Sequence, residues 1–157
     1  MALGIGCAIA PDIDVVGILF GARPGDMLGH RGFTHSLLFA AVLASAGMAG
    51  AAAMSRSPIN RCLVWLYLFL ATASHGFLDA LTDRAGLGIP FFWPFDATRY
   101  FLPFTPVAMS PLGTHFFSQR GLNVLLNEFF WIWIPSLAFV AVVVAIRYLL
   151  HRRSASQ

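Results

Sequence analysis

The sequence predicts an all-α, polytopic membrane protein, and three observations carry that prediction. Hydrophobic residues make up 58% of the 157 residues and charged ones only 11%, against roughly 25% charged in an ordinary soluble domain. Apolar runs close to the roughly 20 residues that a bilayer requires are separated by short polar turns. A proline-rich aromatic stretch between the second and third long runs has no helical or strand periodicity. Together these predict one membrane-embedded domain over residues 1–157, with about three full transmembrane helices, a short N-terminal half-span and an irregular interfacial segment.

Each element follows in turn. Residues 2–11 are apolar but at 1.5 Å per residue cover only about half of a ~30 Å hydrocarbon core, which predicts a partial span. The start has no basic region and no small-residue cleavage site, so it does not read as a secretory signal. A short re-entrant helix, or a late start at Met1, accounts for it. Residues 37–54 are apolar on every face and rich in Ala and Gly, with Ala46/Gly50 and Gly47/Ala51 spaced for close helix approach. SRSPINR then makes a polar turn, and residues 62–81 form the next span, so the two helices should pair as a hairpin.

Residues 84–120 carry Pro90, Pro94, Pro103, Pro106 and Pro111 among phenylalanines, Trp93 and Tyr100, a spacing that neither a long helix nor a strand tolerates. An interfacial segment is expected there. The last span is residues 129–150, ending in Arg147, His151, Arg152 and Arg153. Arginines divide evenly between the two faces. Arg56, Arg61 and the C-terminal set lie in a tight turn and a tail, which places them in the cytoplasm and the remaining loops on the periplasmic or outer side. A net charge of +3 with no basic-aromatic interleaving gives no reason to invoke nucleic acid. Cys7 and Cys62 form no CxxC and read as packing thiols.

Scarcity of charge makes each polar residue beside an apolar run informative. Asp12 and Asp14 end the first segment, His30, Arg31, Thr34, His35 and Ser36 precede the second, and His75 and Asp79 lie late in the third. Because the chain alternates direction, all three groups reach one membrane face. His75 and Asp79, four apart, share a helix side, and an imidazole and a carboxylate there require a partner or a cavity. A divalent cation satisfies both. Asp12, Asp14, His30, His35, His75 and Asp79 offer three imidazoles and three carboxylates, a set that suits Zn²⁺, with Mn²⁺ or Fe²⁺ as alternatives, as one or two ions. Local readings compete with ligation: Asp12 and Asp14 suit a turn after Pro11, Thr34 suits a helix cap, and His75 can simply hydrogen-bond Asp79.

The blocks PDID (residues 11–14), GHRGFTHS (29–36) and SHGFLD (74–79) resemble the signature of the YdjM-like family of bacterial inner-membrane proteins, predicted metal-dependent hydrolases. The resemblance runs to about Pro106. It implies a helical inner-membrane protein whose Asp and His residues in these blocks bind metal. Members carry a further helical turn with a histidine upstream of PDID, which agrees with a shortened start here.

The function expected on these grounds is hydrolysis of an ester or phosphoester of a lipid or lipid-linked substrate by a metal-activated water. Arg31 and Arg99 would stabilise developing negative charge, and Asp14 or Asp83 would take a proton. A metal transporter using the same residues is the alternative, weakened because no polar line crosses to the other face. A haem module on His30 and His35 fits their five-residue spacing poorly.

Overall fold

The computed structural model describes residues 2–23, 25–55, 58–83, 87–111 and 113–155. Arg56, placed in the cytoplasm on sequence grounds, lies outside these. The described chain is helical apart from loops and isolated bridge residues, among them Ile89, which pairs antiparallel with Tyr100. It divides into two compact units, Met1–Thr105 and Pro106–Gln157. Among the described residues four segments are long and apolar enough to cross a membrane: Ala2–Leu19, Leu37–Met54, Arg61–Asp79 and Gln119–Arg152.

The first unit contains α1 (Ala2–Ile9), a 3-10 turn (Ala10–Asp14), α2 (Val15–Leu19), α3 (Leu37–Met54) and α4 (Arg61–Asp79). The N-terminal run is thus longer than the half-span expected from the sequence. Pro11 does not stop it, because proline falls in the first turn of the 3-10 segment, where a missing N–H removes no established bond. At 1.5 Å per residue the 18-residue run extends about 27 Å. Ser36, not Thr34, caps α3, accepting from the Phe39 N–H at 3.1 Å, and Asn60 caps α4 through the Leu63 N–H at 3.1 Å.

Helix α4 packs against both α1 and α3. Cys7, Ala44 and Leu68, one from each helix, are buried together, with Trp65 and Phe69 alongside. Small residues permit the close approach: a Cβ on Gly47 would lie 2.9 Å from Leu68 Cδ1, and one on Gly4 would collide with the hydroxyl end of Tyr67. A second cluster, Ala80, Ile89 and Phe91, seals the far end of α4. Its loop is stitched to the helices by backbone bonds, Leu37 N to Phe91 O at 2.9 Å and Leu102 N to Ala80 O at 2.9 Å. Residues 87–102 are irregular, as their prolines require, and these bonds tie them to one end of the first unit's helices.

The second unit contains a 3-10 turn (Gly113–Phe117), α5 (Gln119–Glu128), a π turn (Phe129–Trp133) and α6 (Ile134–Ala155). Helix therefore begins about ten residues before the expected Phe129. No proline occurs between Pro111 and Pro135, so nothing prevents the amphipathic α5 from forming and joining the span. The π turn ends two residues before Pro135, whose missing N–H and ring bulk favour a local widening of the ladder in the preceding turn.

The loop before α3 has a sharp steric requirement at Gly32, where a Cβ would collide with the Met27 carbonyl oxygen. Gly32→Ala should lower stability by about 1–3 kcal/mol. Gly50→Ala, with nothing within 4 Å of the new Cβ, should be neutral or mildly stabilising. Thermal unfolding of the two variants in the same detergent checks the contrast.

Candidate metal centre

Three separate elements deliver side chains to one end of the first unit. The 3-10 turn after α1 brings Asp12 and Asp14, the 3-10 turn Phe33–His35 brings His35, and the last turns of α4 bring His75 and Asp79. His75 and Asp79 share a face of α4 because they are four apart. Their meeting with Asp12 and His35 follows from α4 lying against the N-terminal run and the lead-in to α3.

Four donor atoms form a closed ring. His35 Nε2 lies 3.1 Å from Asp79 Oδ2 and 4.0 Å from Asp12 Oδ1; His75 Nε2 lies 3.2 Å from Asp12 Oδ1 and 3.8 Å from Asp79 Oδ2. Around a tetrahedral ion with bonds of about 2.0–2.2 Å, neighbouring ligand atoms stand roughly 3.3–3.6 Å apart. Of the ring's four atoms, those of Asp12, His35 and His75 lie within 4.8 Å of one another, close enough to share an ion, and Asp79 Oδ2 stands 3.1 and 3.8 Å from the two imidazoles. Beyond their own 3.1 Å contact, His35 Nε2 and Asp79 Oδ2 are buried with no hydrogen-bond partner among the described residues. A buried pair left with only each other is costly unless a proton or a cation is shared between them. On this test a divalent cation fits the residues present.

The supporting contacts set the tautomers. His75 Nδ1 meets the Ala8 carbonyl at 2.9 Å, so Nδ1 carries the proton and Nε2 presents its lone pair. Asp14 lies behind the ring with its side chain 2% exposed. Its Oδ2 accepts from Thr34 Oγ1 at 2.7 Å and from the Gly32 N–H at 3.4 Å, and stands 3.2 Å from His35 Nδ1. Its Oδ1 meets His30 Nδ1 at 3.1 Å. Asp12, Asp14 and His30 also lie within reach of a common ion, but both Asp14 oxygens are already engaged, which fits a group that orients His30 and His35.

The remaining sequence candidates separate clearly. Arg31 is buried, reaching Thr82 Oγ1 at 2.8 Å and Asp79 Oδ1 at 3.3 Å. Its backbone is left-handed, φ 61°, which costs an L-residue roughly 1–2 kcal/mol. Arg99 directs its guanidinium at the carbonyls of Arg31, Gly25, Leu87 and Gly88; burial, and then the Arg31 charge, hold its pKa below the usual value. Asp83 follows α4 and is not among the described Asp/His groups close enough to share an ion. Sequence reasoning did not single out Thr82 or the Ala8 carbonyl. Thr82, three residues past Asp79, could have been suspected from its place at the helix end, whereas a backbone carbonyl leaves no trace in residue identity.

These features define a helical, multi-span membrane protein with a carboxylate–imidazole site at one end of its bundle. The chain belongs to the YdjM inner membrane protein family, whose family model matches residues 1–154. It is 33% identical over 141 residues to the inner membrane protein YbcI of Escherichia coli (strain K12), a match covering 89% of this chain and 80% of that protein. No solved structure matches the chain. It is accordingly an inner membrane protein.

Burial works against a charged His35, but the carboxylates of Asp14 and Asp79 beside its two nitrogens prevail and push its pKa up to about 9 from 6.5. A raised folded-state value means that stabilisation is complete below about pH 6.5 and is lost as pH rises through 9. The metal-free protein should therefore melt at progressively lower temperature between these values, and His35→Gln should flatten the profile. Ion affinity should rise over the same interval, because binding displaces that proton.

Proposed function

We propose that this chain is a membrane-bound, metal-dependent hydrolase that cleaves an ester or phosphoester of a lipid or lipid-linked substrate. The observation that carries the reading is the ring of Asp12, His35, His75 and Asp79 donor atoms, two of them buried with only each other as partner among the described residues. Two imidazoles and two carboxylates favour Zn²⁺, and also accommodate Mn²⁺ or Fe²⁺. When bound, such an ion supplies Lewis acidity to a water and to the ester or phosphoryl oxygen beside it.

The chain's own groups do the rest. Asp14 and the Ala8 carbonyl hold the two imidazoles with Nε2 turned inward. The Arg31 guanidinium, adjacent to Asp79, provides fixed positive charge where negative charge develops. Asp12, its side chain half exposed, marks the mouth, and a proton released at the site reaches solvent past its carboxylate. Ile9, Ile13 and Val16 around it are exposed and apolar, which favours a substrate entering sideways from the bilayer. The distribution of arginines supports the periplasmic or outer side for this end.

Purified protein should carry about one transition-metal ion per chain, and His75→Ala or Asp12→Ala should abolish stoichiometric binding. Phospholipids, lipid phosphates and lipid diphosphates, assayed with and without chelator, test the chemistry. Chelator-sensitive release of phosphate or headgroup, absent in both variants, is expected. A fully loaded protein inert towards all of them overturns the hydrolase.

A further inference from the structure

Three left-handed backbone positions in the first unit share one partner. Gly25 (φ 100°), Arg31 (φ 61°) and Gly88 (φ 62°) are described positive-φ residues, and the carbonyl of each accepts from the Arg99 guanidinium. Arg99 Nη2 meets Gly25 O at 2.7 Å, and Nη1 meets Arg31 O at 2.9 Å and Gly88 O at 3.2 Å. A planar fork of donors can bridge separated loop carbonyls in a way that a single ammonium cannot. Arg31 is the only described residue other than glycine held at positive φ, and its side chain runs inward to Thr82 and Asp79. Thr82 Oγ1 in turn donates to the Asp79 carbonyl at 2.7 Å. With Oδ1 of Asp79 occupied by Arg31, only Oδ2 remains for the ring shared with His35 and His75.

We propose that Arg99 is a positioning residue for the ion site, acting through the left-handed backbone of Arg31 to fix which oxygen of Asp79 faces the ion. The proposal rests on the ion-site reading above. It gives Arg99 a role at one remove from the chemistry, in place of the direct charge stabilisation its sequence context suggested.

Co²⁺ is the probe, since its visible absorption reports ligand geometry as well as occupancy. Native protein, Arg99→Gln, Arg31→Gln and the double variant are titrated in detergent against a competing chelator. Arg99→Gln should weaken Co²⁺ binding about tenfold, in the range for loss of a group that supports a ligand, and should shift the absorption bands. The double variant should be no weaker than Arg31→Gln alone, because both act on one path. Should Arg99→Gln fail to fold, Arg99→Lys takes its place. It keeps the charge but not the bridge, so a weakened and shifted Co²⁺ complex is again expected. Native affinity and spectrum in the Arg99 variant, or additive losses in the double variant, overturn the relay while leaving the ion site standing. Absence of Co²⁺ binding by native protein overturns both.

Discussion

A buried carboxylate in an apolar bundle has to be saturated with donors, and the end of the first unit is organised around satisfying Asp14. Its two oxygens collect His30, Thr34, the Gly32 N–H and the near nitrogen of His35. All of these come from one loop, so the carboxylate on the N-terminal run fixes the path of residues 30–35 and the orientation of His35. Helix α3 then starts at a set place, capped by Ser36. In a membrane the hydrophobic effect does little to bring helices together, and such polar contacts, with small-residue packing around Gly4 and Gly47, decide how α1, α3 and α4 register.

The site is a consequence of that register. Each wall is contributed by a different helix or its extension, and α4, touching both neighbours, carries the two adjacent donors. Behind the ring stands a layer of groups that never face it: the Ala8 carbonyl, Asp14, Thr82 and Arg31. That layer is as extensive as the ring itself, which is the pattern of sites whose ligands must be held rather than merely present. The loop of residues 87–102 closes the same end, pairing Ile89 with Tyr100 and taking Leu37 and Ala80 into its hydrogen bonds.

Much of this was legible in the sequence because charge is scarce. The i,i+4 placement of His75 and Asp79, and the return of PDID and HRGFTHS to the same face, follow from span length and alternation alone, and the structure brings these blocks together. The helical extents were read less well. Pro11 suggested an end to the first helix, yet proline in the first turn of a new helical segment is tolerated, and the segment continues to Leu19. The sequence reading ends the proline-rich stretch at residue 120 and starts the last span at 129, leaving most of the proline-free, amphipathic helix of residues 119–128 unassigned. The left-handed backbone at Arg31 was not legible at all, since arginine carries no signature of positive φ and the guanidinium that meets its carbonyl, that of Arg99, lies far along the chain.

Pro11 also acts at a distance. In a 3-10 turn the N–H of residue 11 would bond to the carbonyl of residue 8; proline has none to offer. The Ala8 carbonyl is left without that donor, and His75 Nδ1, from another helix, occupies it. A ring closure in one backbone thereby dictates the tautomer of an imidazole in its neighbour: the covalent absence of a hydrogen atom at one residue becomes the presence of a lone pair at another.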